Sequence, residues 1–276
     1  MLNRNHIIQS RFRLHFTSLT LLVIASLLPI AQAKDTLLSN VNFEQPAISI
    51  IIDDMGYRLQ SGLRAVNLPG AITYSFLPHS PHAVALSQSA YQKNKEIMLH
   101  LPMESEAGKK LGPGGLTECM TEDKFTEVLQ SSLNSVPHVS GFNNHMGSLL
   151  TKSQLWMTRL MRKAAMGNKL YFVDSRTTSN SVAYKMARNA GIESIKRDIF
   201  IDHEDSKDFI QKQLKKLIVK AQRNGTALAI AHPKKMTLSI LEQWLPELES
   251  KGIQLIPVSD LIALKQQRRL ALWKAP

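Results

Sequence analysis

Eight short apolar runs, spaced along the chain and separated by longer segments of helical periodicity, constrain this sequence more than any other feature. They lie at 48–52, 71–77, 96–101, 139–144, 169–174, 196–201, 227–231 and 253–258. Most are apolar at consecutive positions rather than at alternate ones, as strands covered on both faces are. Between them, 206–224 places Phe209, Ile210, Leu214, Leu217, Ile218 and Ala221 on one face, with Asp205 or Ser206 to cap its start and Gly225 to end it. Residues 237–250 repeat the helical pattern, but Pro246 should divide them. Alternating strands and helices predict an α/β fold with a parallel sheet wrapped in helices. The segment after the first run, "DDMGYRLQSG", offers acids where a dinucleotide-binding loop needs bare backbone amides. A barrel-like sheet is therefore expected, not an open nucleotide-binding one.

The N-terminus reads as an address. Arg4, Arg11 and Arg13 precede an apolar stretch at 17–30 and the small-x-small sequence Ala31-Gln32-Ala33, the order of parts in a secretory signal peptide. The apolar stretch is short against the about 20 residues that span a bilayer. The expectation is cleavage after Ala33, export to a bacterial periplasm and no stable membrane span afterwards. Residues 34–45 then form a leader and 46–276 a single domain.

The chain carries 34 Lys and Arg against 22 Asp and Glu, and the presumed signal removes only basic residues. A basic exported protein can meet anionic lipid or an anionic wall polymer, and export makes nucleic acid an unlikely partner. The positive charges are nevertheless scattered, except at "KQLKK" and "QQRRL", so an ordinary solvated surface explains them equally well. Cys119 is the only cysteine. No internal disulfide is available, and a hydrophobic core must hold the fold. Cys119 itself sits in "GGLTECMTED", which reads as a helix entry and not as a nucleophile's setting.

The polar residues that interrupt the apolar runs share one address. Asp53 and Asp54 end the first strand, His100 the third, Asp174 the fifth, Asp202 the sixth and His232 the seventh, while His145 follows the fourth. In parallel α/β folds the carboxyl ends of the strands form one face, where sites are assembled. One Asp and two His suit a catalytic zinc site, and a second carboxylate beside it can take a proton from water. Each residue also has an ordinary role: Asp174 and Asp202 as turn or cap formers, His232 as a turn residue before Pro233, and "NNH" at 143–145 as a polar turn. The adjacent pair Asp53 and Asp54 is harder to explain that way, because like charges beside a buried strand need compensation.

Six segments taken together, "IIIDDMG", "MLHLPME", "NNHMGSLLT", "YFVDSRTT", "RDIFID" and "AIAHP", resemble the divergent polysaccharide deacetylases, exported bacterial proteins related to the NodB-type carbohydrate esterases. The resemblance runs over roughly residues 46–264. It implies a distorted (β/α) barrel of about seven parallel strands and a hydrolase that uses Zn²⁺ or another divalent metal. It further implies Asp53 as general base, and Asp54, His100 and His145 as metal ligands. His232 would protonate the leaving amine, Arg197 would orient the base and Asp174 would serve as a supporting carboxylate.

One departure stands out. The related esterases bring two metal-binding histidines from one H-x-x-x-H segment, and here Glu104 occupies the position four after His100. His145 is the natural replacement, with Glu104 as the competing ligand. His79 and His82, in "LPHSPHA", are expected in a loop. The expected function is deacetylation of an N-acetylated cell-envelope polysaccharide or oligosaccharide. The alternatives are a non-catalytic protein binding glycan or an envelope partner on the same fold, and hydrolysis of an ester or phosphoester.

Overall fold

The first strand, β1 (Ala47–Met55), is buried along its length except at Asp54 and runs between two parallel neighbours. On one side lies β8 (Thr226–Ala231), in a register that sets Ile48, Ile50 and Ile52 against Ala227, Ala229 and Ala231. Large side chains thus pack beside small ones on the face that meets the helices. On the other side lies β2 (Thr73–Phe76), followed outward by β3 (Glu96–Met103), β4 (Val139–Met146), β5 (Tyr171–Asp174) and β6 (Ser194–Lys196), all parallel. The structure is a computed structural model that describes residues 41–167 and 169–274. The expected signal peptide and residues 34–40 of the expected leader lie outside the described residues. Among the described residues no helix is long and apolar enough to cross a membrane.

The expected strand at 196–201 closes the sheet. Its first part, β6, pairs with β5, and its last part, β7 (Ile199–Phe200), pairs with β8 at the opposite end of the strand order. Only Arg197 and Asp198 separate the two parts. Arg197 N donates to Asp174 O at 3.0 Å and Asp198 N to Leu228 O at 2.8 Å, so one segment pairs first with one neighbour and then with the other. Counted this way, β1 to β5, β6 with β7, and β8 make the distorted (β/α) barrel of seven parallel strands expected from the sequence. The expected strand at 253–258 is shorter than predicted. Only β9 (Gln254–Leu255) pairs, beside the start of β1, because Glu96 draws the following backbone into a helix. Its Oε2 accepts from Val258 N at 2.8 Å, capping α8 (Val258–Lys274).

The helices follow their sequence signals. In α6 (Lys207–Asn224), Ser206 Oγ accepts from Phe209 N, Gly225 ends the helix at φ 77°, and Ile210, Leu214, Leu217 and Ala221 are buried. Helix α7 (Lys235–Trp244) stops just before Pro246 and continues as two short 3₁₀ turns. The remaining helices are α1 (Leu59–Val66), α2 (Ala83–Gln92), α3 (Glu122–Asn134), α4 (Gln154–Ala165) and α5 (Ala183–Asn189). Cys119 is exposed just before α3, where Thr121 rather than the cysteine caps the helix.

Strand parity sorts the side chains. Ile97, Leu99, Leu101, Phe142 and Phe172 join the apolar layer beneath the helices. Their alternates His100, Asn143, His145 and Val173 must then face the barrel interior.

Candidate metal and catalytic site

In a regular strand Asp53 and Asp54 would point to opposite faces. They do not, because Asp54 adopts φ 57° and the β1–β2 register slips between Ile52 and Met55. This bulge re-aims the second carboxylate toward the mouth of the barrel. Asp54 Oδ1 comes to 3.0 Å from His145 Nδ1 and 3.3 Å from His100 Nε2. The two imidazole nitrogens are themselves 3.1 Å apart.

Asn143 decides which nitrogen of His100 is available. Its amide Nδ2 donates to Asp53 Oδ1 at 2.9 Å, which turns Oδ1 toward Ser75 Oγ and His100 Nδ1, both at 2.7 Å. An amide oxygen only accepts, so His100 carries its proton on Nδ1 and presents Nε2 to the cluster. These groups lie almost out of water: Asn143 is fully buried, His100 is 2 % exposed and Asp53 3 %.

The three converging atoms fit a metal ion. Tetrahedral zinc with bonds of about 2.0–2.1 Å needs ligand atoms about 3.3 Å apart, close to the separations here. Asp54, His100 and His145 form a group able to hold an ion, and apart from these two imidazoles the buried Asp54 Oδ1 has no donor among the described residues. Hydrogen bonding and charge from the two histidines hold Asp54 in the cluster. Burial opposes ionisation of Asp54, but His100 and His145 outweigh it and keep its carboxyl well below the usual carboxylate range. Burial likewise opposes protonation of His100, yet Asp53 and Asp54 lift it to about 9. Asp53 moves the other way, its carboxyl raised by burial despite nearby His100 and His232.

On the far rim stands a second unit. His232 Nδ1 lies 2.9 Å from Asp202 Oδ1, and Asp202 Oδ2 accepts from His232 N at 2.8 Å and from Thr237 Oγ1 at 3.0 Å. Fully buried Asp202 thereby fixes the ring so that Nε2 faces the cluster, 3.8 Å from Asp54 Oδ2. Burial disfavours the imidazolium, and Asp202 more than compensates, raising the histidine's pKa.

Other expected participants stand apart from the cluster. Asp174 is buried and accepts from Arg176 N at 2.9 Å and Ser181 Oγ at 2.8 Å, pinning the loop after β5. Arg197 donates to the carbonyls of Ser175 at 2.6 Å and Arg176 at 3.0 Å, and its guanidinium lies over Phe200 at 4.8 Å. Burial lowers its pKa, partly offset by the charge of Asp53, and among the described residues it makes no hydrogen bond to Asp53. Glu104 accepts from Glu118 N at 2.8 Å and is not in the group formed by Asp54, His100 and His145. His82 precedes α2, and His79 contacts Ser131.

Sequence reasoning did not assign the alignment of Asp53 and His100 by Asn143 or the pairing of Asp202 with His232. The parity of "FNNH" was the available signal for Asn143, since it places residues 143 and 145 on one face. Two clefts meet at His145 and His232. One, of about 920 Å³, runs between α1 and α7; the other, of about 510 Å³, extends over the ends of β4 and β5.

Comparison with known proteins agrees with this architecture. A family model described as divergent polysaccharide deacetylase matches residues 50–262. The uncharacterized protein YibQ of Escherichia coli K12 is 35 % identical over 215 residues, covering 78 % of this chain and 67 % of the relative. An uncharacterized protein of Haemophilus influenzae is 36 % identical over 227 residues, covering 82 % and 80 %. The crystal structure of the uncharacterized protein ATU2773 from Agrobacterium tumefaciens C58 superposes with a TM-score of 0.75 at 23 % identity, covering 79 % of this chain and 89 % of that one. The match across the barrel, from β1 into α8, makes this chain a member of the divergent polysaccharide deacetylase family.

Proposed function

We propose that the protein is an exported, metal-dependent hydrolase that removes acetyl groups from an N-acetylated cell-envelope polysaccharide or oligosaccharide in the periplasm. The observation that carries this reading is the arrangement of three groups about one point. Three ligand atoms converge within 3.3 Å of one another, with a buried carboxylate on one side and an Asp–His pair on the other.

Zn²⁺ or another divalent ion held by Asp54, His100 and His145 would supply Lewis acidity, polarising the acetyl carbonyl and lowering the pKa of water to about 7. The chain's own residues handle the protons. Asp53, aligned by Asn143 and made more basic by burial, accepts a proton from the attacking water. His232, charged with the help of Asp202, gives one to the departing amine, which would otherwise leave as a poor anion. The two clefts that meet at this point give a chain of sugars room on either side of the bond to be broken.

The test is metal content together with turnover on acetylated oligosaccharides. The native protein should take up one equivalent of zinc, and His100→Ala and His145→Ala should each lose it. His232→Ala should keep the metal and lose turnover by about 10²–10⁴-fold. A native protein that takes up no divalent metal would refute the hydrolase reading.

A further inference from the structure

The smaller cleft carries a positive charge that the proposed chemistry does not use. Its lining includes Lys109, Arg176 and Arg197 against one carboxylate, Asp53, which is already engaged by Asn143. Arg197 is accounted for by its carbonyl partners, by Phe200 and by the nearby charges of Asp174 and Asp198. Arg176 is not. Its guanidinium has no hydrogen bond or ion pair among the described residues, although the residue is half-buried.

The backbone of Arg176 shows that this placement is built. It holds φ 54°, a left-handed conformation that an unbranched non-glycine residue adopts only when its surroundings impose it. The surroundings do so from both sides. Asp174 Oδ1 accepts from its N–H at 2.9 Å, and its carbonyl accepts from Arg197 Nη2 at 3.0 Å. A buried carboxylate and a half-buried guanidinium thus clamp a strained residue, and Arg176, whose own guanidinium has no partner among the described residues, lines the cleft with His145 and Asp53. Lys109, exposed in the glycine-rich segment after β3, also lacks a partner among the described residues. A guanidinium partly removed from water gains most from a planar or tetrahedral oxyanion that accepts two of its N–H groups.

We propose that Arg176, assisted by Lys109, binds an anionic substituent on the saccharide, within about one sugar unit of the group hydrolysed, so that the preferred substrate is an acidic glycan and not a neutral one. This rests on the hydrolase reading for the identity of the ligand as a saccharide.

The experiment measures calorimetric binding and deacetylation in the same zinc-treated samples. Three tetrasaccharides serve as probes: neutral N-acetylglucosamine tetramer, its 6-phosphorylated form, and a tetramer alternating N-acetylglucosamine with glucuronate. At low salt an acidic probe should bind about tenfold tighter than the neutral one. Arg176→Gln should remove most of that preference, Lys109→Gln part of it, and Lys185→Gln, on the exposed face of α5, none. Salt of 0.5 M or so should erase the preference in the native protein as well, which tests the idea without any variant. The phosphate and carboxylate arms identify the anion. Equal binding of all three probes, or a preference that survives Arg176→Gln, overturns the proposal even if the neutral probe is deacetylated. Binding that depends on Arg176, without turnover on any probe, upholds it and removes the deacetylase reading instead.

Discussion

Asn143→Ala should be the most informative single substitution outside the Asp54, His100 and His145 cluster. The side chain makes three hydrogen bonds in a space closed to water: Ser75 Oγ at 2.7 Å, His100 Nδ1 at 2.7 Å and Asp53 Oδ1 at 2.9 Å. The bond to the neutral hydroxyl contributes about 1 kcal/mol and each bond to an ionisable partner about 1.5 kcal/mol, so truncation should cost about 4 kcal/mol in the metal-free protein. All three partners would be left buried, which keeps solvent from repaying the loss. With a urea slope near 3 kcal/mol/M the unfolding midpoint should fall by about 1.3 M in the presence of chelator. The same substitution frees His100 to turn over or change tautomer, and zinc affinity should drop about 10–100-fold in a competition titration against a chelating dye. A variant that unfolds at the native midpoint and binds zinc with native affinity would refute the claim that Asn143 holds Asp53 and His100 in register.

Gly141, two residues earlier on the same face, has no room for a side chain, since an added Cβ would stand 2.5 Å from the buried ring of Tyr171. Gly141→Ala should cost about 2–3 kcal/mol by urea unfolding, and a loss under about 0.5 kcal/mol would contradict the packing described. Asp260, in the first turn of α8, has its carboxyl raised to about 6 by partial burial and then by the charge of Glu96. The folded state therefore binds this proton more tightly than the unfolded state, and stability falls as pH rises from about 4 to about 6. Asp260→Asn removes that penalty. After discounting for exposure, the variant should be about 1 kcal/mol more stable at pH 7.5 and nearly unchanged at pH 4, so equal gains at both pH values would show the carboxyl to be unperturbed.

The order of elements and the face that carries the site were legible in the sequence because both depend on local pattern. Apolar runs such as "ISIII" and "ALAIA" can be buried on both faces only inside a covered parallel sheet, and such a sheet gathers its strand ends at one mouth. That reasoning alone brought Asp53, Asp54, His100, His145 and His232 to one place. The resemblance to the deacetylases, not the local pattern, pointed to His145 in place of the missing H-x-x-x-H histidine.

What remained depends on contacts between residues far apart in the chain. Whether adjacent Asp53 and Asp54 face the same way rests on a bulge and a φ of 57°, and a period of two predicts the opposite. Asn143 looked like a turn residue until Ser75, His100 and Asp53, 43 to 90 positions away, supplied its partners. Asp202, placed at the same mouth by the sequence, meets His232 only because barrel closure sets β7 beside β8. Arg197 and Arg176 exchanged prominence for the same reason: Asp174 and Arg197 hold the backbone of Arg176, while its guanidinium has no hydrogen bond or ion pair among the described residues. Sequence periodicity chooses which face a residue occupies; only the closed barrel chooses which residues on that face meet, because closure brings together strand ends that the chain keeps apart.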